Sequence, residues 1–406
     1  MKTERTFTAC TVTPKQEKRI RGGHPWVYED EITEISAEPE NGSIVDVFGR
    51  KHNYLGSGLY SANSKIRVRI LDHNANEKFD DAFFARRTAY ALKYRREVMG
   101  EDFANCRLIH GEADGLPGLT IDKYGDILVT EVSSYGIDLR QDVIYRALVS
   151  GLQEYGVTVS GIYERNDGDL RRREGLAQYT GWYEALSPEP KDKVIINEHG
   201  ILYEVDILNG QKTGFFLDQM YNRLEIRKIA GNMDVLDCCT HTGSFALNAA
   251  YGGAASVTAL DISDTALDTA RTNAVLNHLE DRVEFRQGDV FEELQSYLQE
   301  HRKFDVIILD PPAFTKSRST LRNAYNGYLR LNTYGMRLVK RGGYLATCSC
   351  SHFMDTETFR QMLKEASEAA GVTLRIITET HAACDHPRLI NVPETDYLKF
   401  FLLQII

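Results

Sequence analysis

Between residues 233 and 348 the chain alternates short apolar runs with helix-patterned stretches, and four of the runs end in, or lead straight into, an aspartate. The runs are 233–237, 256–261, 283–285, 304–310 and 343–348, with helical spacing between them at 245–250, 265–277, 290–300 and 325–338. Short buried strands joined by helices predict a parallel, doubly wound α/β sheet. Such a sheet binds its ligand outside the carboxyl ends of its strands. Asp237, Asp261, Asp289 and Asp310 are therefore expected along one edge. A single aspartate after a strand is usually an N-cap or a turn former, but four in consecutive register point to a ligand.

The turn after the first run, 237–245, holds one glycine, Gly243. A dinucleotide pyrophosphate calls for a G-x-G-x-x-G turn opening a helix. S-adenosylmethionine carries no phosphate and needs only close backbone approach at Gly243. Asp261 is placed for the ribose hydroxyls, and Asp289 for the adenine amino group. The fourth run closes on Asp310-Pro311-Pro312-Ala313-Phe314, where two prolines stiffen a loop beside the cofactor. An amino-directed methyltransferase wants an aromatic residue directly after the second proline, and Ala313 stands there.

The fifth run ends in Thr347-Cys348-Ser349-Cys350-Ser351-His352. A cysteine here is a candidate nucleophile. Pyrimidine C5 becomes nucleophilic only once a thiolate has added at C6. Cys348 falls within the strand and reads as core, whereas Cys350 lies beyond it, within reach of a flipped base. A zinc site of Cys238, Cys239, Cys348 and Cys350 is disfavoured, since adjacent strand residues face opposite ways and no C-x-x-C spacing occurs.

Upstream, the first 75 or so residues read as strands throughout, at 43–48, 54–60 and 66–71, and a small β-barrel accounts for them. A helix at 80–99, a hairpin at 119–132, a helix at 138–155 and a strand at 161–165 make a compact α+β module. Ser187-Pro188-Glu189-Pro190 marks a boundary. The expected domains are 1–75, 76–186 and 187–406. Lys15, Lys18, Arg19 and Arg21 precede Trp26, a basic and aromatic grouping suited to RNA; a solvated basic turn beside a core tryptophan is the plain alternative. Arg171-Arg172-Arg173 is a second basic spot. The net charge of −10 excludes a tail-driven polyanion binder, yet leaves room for local basic patches. The polar amino terminus, the want of a long apolar run and seven scattered cysteines predict a cytosolic location.

Over essentially its whole length the chain resembles the RlmI-type 23S rRNA (cytosine-C5)-methyltransferase family. The matching stretches are Arg21-Gly-Gly-His-Pro-Trp-Val-Tyr28, Gly111-Glu-Ala-Asp-Gly-Leu-Pro-Gly-Leu-Thr-Ile-Asp122 and Gly210-Gln-Lys-Thr-Gly-Phe-Phe-Leu-Asp-Gln219. Further on come Leu236-Asp-Cys-Cys-Thr-His-Thr-Gly-Ser-Phe245, Asp310-Pro-Pro-Ala-Phe314, Ser349-Cys-Ser351 and Asp385-His-Pro387. The resemblance implies a PUA domain, a small central α+β domain and a Rossmann-like class I methyltransferase domain. It also implies that Thr213, Phe216, Asp218 and Gln219 join Asp237, Thr242, Asp261, Asp289 and Asp310 in holding S-adenosylmethionine. It places the nucleophile at Cys350; Asp310 is expected to hydrogen-bond or protonate N3 of the base. Many RNA 5-methylcytosine enzymes carry a second cysteine where this chain has Ala313.

The expected activity is S-adenosylmethionine-dependent 5-methylcytosine formation in large-subunit rRNA. Its rivals are a guanine or adenine RNA methyltransferase, a 5-methyluridine enzyme, and a non-catalytic ribosome-assembly factor. The expected partner is large-subunit rRNA; a homodimer is compatible with the sequence, and neither membrane nor metal is expected.

Overall fold

The computed structural model describes residues 6–315 and 320–406. The chain divides into two compact units, each assembled from separated segments. The first comprises Met1–Ile195, Val205–Phe215 and Cys384–Thr395; the second comprises Ile196–Glu204, Phe216–Ala383 and Asp396–Ile406. Two short stretches, 205–215 and 384–395, thus return to the first unit from within the carboxyl-terminal half.

The first unit contains two sheets. One has six strands in the order Trp26–Tyr28, Ile66–Asp72, Tyr54–Tyr60, Ile44–Phe48, Thr8–Val12 and Ile32–Ile35. Register shifts at Thr11/Val12, Val27/Tyr28, Val47/Phe48 and Ser57/Gly58 bend and twist the strands as bulges do. The sheet packs on a core that includes Cys10, Val12, Ile20, Val47 and Val68. This region is not strand throughout: Pro14–Arg21 is a helix. Thr13 caps it by accepting from the Gln16 N–H, and Pro14 opens it where a missing N–H costs nothing. With Gln16 and Ile20 its buried residues, it shows no helical periodicity to the eye.

The second sheet runs Tyr179–Trp182, Gly161–Asn166, Ile127–Val132, Leu119–Tyr124, Asn105–His110. Helices Asp81–Met99 and Gln141–Glu154 pack together. The helix expected over 138–155 runs Gln141–Glu154, and a separate short helix, Tyr135–Asp138, precedes it. The basic spot at 171–173 changes character as well. Arg171 is buried, donating to the Val132 carbonyl at 3.0 Å and to Asp138 at 2.7 Å, so it serves the interior.

In the second unit seven strands form one sheet: β1 (Asp234–Cys238), β2 (Ser256–Asp261), β3 (Val283–Gln287), β4 (Phe304–Leu309), β5 (Val339–Ser349), β6 (Leu374–Thr380) and β7 (Lys399–Ile405). Their order is β3-β2-β1-β4-β5-β7-β6. The first five pair in parallel, as expected, while β7 runs antiparallel to both β5 and β6. Six helices accompany them: α1 (Met220–Ile229), α2 (Ser244–Tyr251), α3 (Asp264–Leu276), α4 (Val290–Gln299), α5 (Leu321–Leu338) and α6 (Thr356–Ala370). Leu236, Leu260, Ile307, Leu309, Leu331, Leu345 and Phe401 lie in the core. The chain steps outward from β1 to β3 and then crosses back to β4. The crevice of such a fold therefore opens beyond β1 and β4, where Asp237 and Asp310 stand.

On α1, Arg223 is buried and holds buried Glu198 through two hydrogen bonds, at 2.7 and 2.5 Å. A third bond, 3.0 Å to the Phe216 carbonyl, fixes the segment leading into α1. Removing the guanidinium would strand a carboxylate in the interior, which typically costs about 3–5 kcal/mol. Arg223→Met is expected to lose stability on that scale, with Glu198→Gln in the same chain recovering part of it. Urea unfolding of the three proteins measures this.

Candidate functional site

The loop leaving β1 carries an unusual backbone. Cys239, His241 and Gly243 take φ of +61°, +50° and +82°, so alternate residues lie in the left-handed region that non-glycine residues seldom enter. Glycines ordinarily supply that geometry, which hides the loop's shape from a sequence search. At Gly243 the demand is double: an added Cβ would come within 3.1 Å of the Ala270 Cβ on α3. The glycine serves helix packing as well as any ligand.

Asp237, fully buried at the end of β1, holds this loop closed. Its Oδ2 accepts from the Thr240 hydroxyl at 2.5 Å and from the Ala246 N–H at 2.9 Å. Oδ1 is buried and has no hydrogen-bond partner among the described residues. Asp261 also grips the loop, accepting from the His241 N–H at 2.8 Å, and its other oxygen accepts from the Ser263 N–H at 2.9 Å. Asp289 caps α4, accepting from the Phe291 and Glu292 N–H groups. Each of these carboxylates keeps further lone pairs, so capping and ligand binding are compatible. Buried Thr242 accepts from Asn273 through its carbonyl.

All four strand-end aspartates converge on this loop. Burial raises the proton affinity of the Cys239 thiol, and the charges of Asp261, Asp310, Asp237 and Asp289 raise it further. Asp310 itself accepts from Gln219 Nε2 at 3.0 Å. Gln219 is held in turn by Asn222 at 2.7 Å, and Asn222 accepts from the Thr380 hydroxyl at 2.6 Å. Asp218 is buried and accepts from the Tyr397 hydroxyl at 2.5 Å. Burial, then the Asp218 charge, pushes Asp310 up to about 6; burial, then Asp310, pushes Asp237 up to about 7. Phe216 sets its ring edge-on to His241 at 5.1 Å. Sequence reasoning missed Asn222, Tyr397, Thr240 and His241, whose partners are set by the fold rather than by any motif.

Beyond β5, Cys348 and Ser349 are buried, whereas Cys350 is half-exposed. Leu309 of β4 pairs with Thr347 of β5, so Asp310 and its prolines flank the cysteines. The Cys350 Sγ lies 4.0 Å from the Pro311 carbonyl. Ala313 is exposed, and Phe314 turns toward the interior, 4.6 Å from the Tyr328 ring.

The other candidates lie in the first unit. Thr213 is buried; its hydroxyl donates to Asp122 at 2.5 Å and meets the Tyr124 hydroxyl at 3.2 Å. Lys15, Lys18, Arg19 and Arg21 ride on the short helix rather than a turn. Lys15 pairs with Glu31 and Arg21 with Glu17; Arg19 lies over the Tyr28 ring, and Lys18 is exposed. Trp26 is half-buried and donates to Glu112 at 2.9 Å.

Residues 10–73 match the PUA-like domain family, and residues 173–389 match the S-adenosylmethionine-dependent methyltransferase family. Ribosomal RNA large subunit methyltransferase I of Alteromonas mediterranea is 39% identical over 97% of each chain. The chain belongs to the ribosomal RNA large subunit methyltransferase I family. The protein of the same description from Pseudoalteromonas atlantica is also 39% identical, over 98% of this chain and 99% of its own. Among solved structures, a protein from Streptococcus mutans provisionally named a SAM-dependent methyltransferase superposes with a TM-score of 0.83 at 20% identity, covering 98% of this chain and 100% of its own. Another, provisionally named a methyltransferase and solved with SAH, matches with the same values. These structures share the fold.

The cofactor of this methyltransferase is S-adenosylmethionine, and the site suits it. A buried acceptor such as Asp237 Oδ1, among like-charged neighbours, favours a ligand bearing hydroxyl and ammonium donors and a positive charge, and repels a phosphate. Asp261→Ala is expected to weaken S-adenosylmethionine binding about 10- to 100-fold, the loss of charged hydrogen bonds. Calorimetry checks this, with the melting temperature as the control for the loop it braces.

The raised carboxyls also set a pH dependence. Asp237 and Asp310 bind protons more tightly folded than unfolded, so their contribution to stability is complete below about pH 4. It is lost as the pH rises through about 6 and 7. Asp237→Asn keeps the acceptor for Thr240 and Ala246. It should remove a slope of up to ~1.4 kcal/mol per pH unit. Urea unfolding of cofactor-free parent and variant at pH 5 and pH 7 is the measurement; the variant should gain on the parent at the higher pH.

Proposed function

We propose that this methyltransferase acts in the cytosol on C5 of a cytosine in large-subunit rRNA, through a covalent adduct between Cys350 and C6. The observation that carries the reading is the placing of a half-exposed thiol, Cys350, 4.0 Å from the carbonyl of the Asp310-Pro311 turn. The rRNA substrate follows the relatives' description, and the PUA-like domain is a module suited to holding RNA beside Lys18, Arg19 and Trp26. Seven free thiols fit a reducing compartment.

When bound, S-adenosylmethionine supplies an electrophilic methyl group. The chain's own residues prepare the base. The Cys350 thiolate adds to C6, and the electron pair of the C5–C6 bond shifts so that C5 becomes an enamine carbon. Asp310, raised to about 6, holds a proton readily enough to hydrogen-bond N3 and draw off the charge that develops there. Once C5 is methylated, water takes the C5 proton, the C–H electron pair re-forms the C5–C6 double bond, and the C6–S bond breaks to release the Cys350 thiolate. Gln219 and Asn222 keep the Asp310 carboxyl aimed. An amino-directed reaction finds less support, because Phe314 packs on Tyr328 and exposed Ala313 offers no stacking face.

Cys350→Ala is expected to abolish methyl transfer, at least 10³-fold as for loss of a covalent nucleophile, while retaining S-adenosylmethionine and RNA binding. RNA carrying 5-fluorocytosine should trap the parent protein covalently and leave Cys350→Ala untrapped. Retained activity in Cys350→Ala would return the choice to the guanine or adenine readings. Trapping by 5-fluorouridine RNA instead would favour the 5-methyluridine reaction.

A further inference from the structure

Lys399, the first residue of β7, is fully buried. It pairs in register with Ser349 of β5, next to Cys350. Its ammonium donates to the Ser351 carbonyl and to the Tyr397 carbonyl, each at 2.8 Å. Both bonds could be made by a neutral amide. A positive charge kept out of water needs a further reason, since buried cations are costly unless compensated.

The charges acting on Lys399 identify that reason. Burial lowers its proton affinity, and Cys350 leads the groups that restore it, ahead of Asp396 and Asp355. Asp396 is engaged by His381 at 2.8 Å, and Asp355 caps α6 by accepting from the Thr358 N–H at 2.7 Å. On the other sides of Cys350 stand the Tyr328 hydroxyl of α5, the Cys348 thiol and the Asp310 turn. Tyr328 is held neutral up to about 12, chiefly by burial, and meets the Ser351 hydroxyl at 3.0 Å. Cys348 is pushed well up by burial and by Asp310. Of those groups the Asp310 carboxyl opposes a thiolate, and neutral Tyr328 and Cys348 bring no positive charge to it; Lys399 does.

We infer that Lys399 is a positioning residue of the reaction: it pins the Ser349–Ser351 turn and stabilises the thiolate of Cys350 by charge. The step is a simple ionisation. The S–H bond breaks, the proton passes to water, and the electron pair stays on sulfur to form the S–C6 bond. Its catalytic meaning rests on Cys350 being the nucleophile; the ionisation itself does not.

The experiment is the pH profile of Cys350 alkylation by iodoacetamide in the full chain, followed by peptide-resolved mass spectrometry. In the parent, Cys350 is expected to titrate below the ordinary thiol value of about 8.5. In Lys399→Gln, which can still bond the Ser351 carbonyl, the profile should move up by about one pH unit or more. At neutral pH its kcat should fall about tenfold, in proportion to the thiolate fraction, with KM for RNA unchanged. Lys399→Arg should restore the parent profile. A folded Lys399→Gln protein with an unmoved alkylation profile overturns the inference. Should that variant not fold, a parent Cys350 titrating at or above 8.5 overturns it equally. Covalent trapping through Cys350 combined with an unmoved profile defeats this inference alone; a shifted profile with full activity in Cys350→Ala defeats only the nucleophile.

Discussion

Burial raises the proton affinity of Asp237 and Asp310, and a neighbouring carboxylate raises each further: Asp218 acts on Asp310, and Asp310 on Asp237. Everything around them serves to hold like charges together. Gln219 donates to Asp310, Tyr397 to Asp218, and Thr240 with the Ala246 N–H to Asp237. These bonds offset burial and repulsion without cancelling them, which is why Asp237 and Asp310 sit above the usual carboxylate range rather than below it. A cationic ligand rich in donors relieves what remains. Cofactor binding and stability are therefore coupled, since a ligand that binds the folded form alone stabilises it by mass action.

The framework that carries these groups is built from constraints of different kinds. The crossover from β3 to β4 opens the crevice. Left-handed residues at 239, 241 and 243 fold the first loop tightly enough for Asp237 and Asp261 to cap it, a local strain borne at a working site. The segment from Phe216 to Arg223 then closes the floor. Arg223 ties its start to Glu198, while Asn222 ties Gln219 to Thr380 of β6. Through Gln219 and Asn222, Asp310 after the central strand β4 is linked to the edge strand β6.

Strands β1 to β4 and the helices between them were readable because each satisfies local rules: apolar runs of strand length, helical spacing, and caps such as Asp289 before α4. The helix at 14–21 escaped, although Thr13 and Pro14 announce it, because Gln16 and Ile20 alone of its residues are buried. The loop after β1 escaped for another reason. Its left-handed positions hold cysteine and histidine, so composition conceals a backbone that glycine would have advertised. Asn222, Tyr397 and Lys399 meet their partners across long stretches of chain or through main-chain carbonyls. No spacing rule reaches such contacts. The return of 205–215 and 384–395 to the first unit is likewise a property of packing, and a boundary drawn at a proline pair does not register it.

Cys348 within β5 and Cys350 just beyond it show how the fold divides one short motif. They are separated by a single residue, yet the strand ends between them. Cys348 stays in the sheet, sealed from water and facing Asp310, and both conditions hold its thiol neutral. Cys350 emerges from the last register position, where β7 delivers Lys399 opposite Ser349. Burial and a nearby carboxylate suppress one thiol, while the other lies partly exposed beside the turn that the Lys399 ammonium holds. A strand one residue longer would draw Cys350 toward the sheet, and one residue shorter would part the turn from Lys399. The length of β5, set by its antiparallel pairing with β7, is thus what leaves Cys348 in the core and carries Cys350 beyond it.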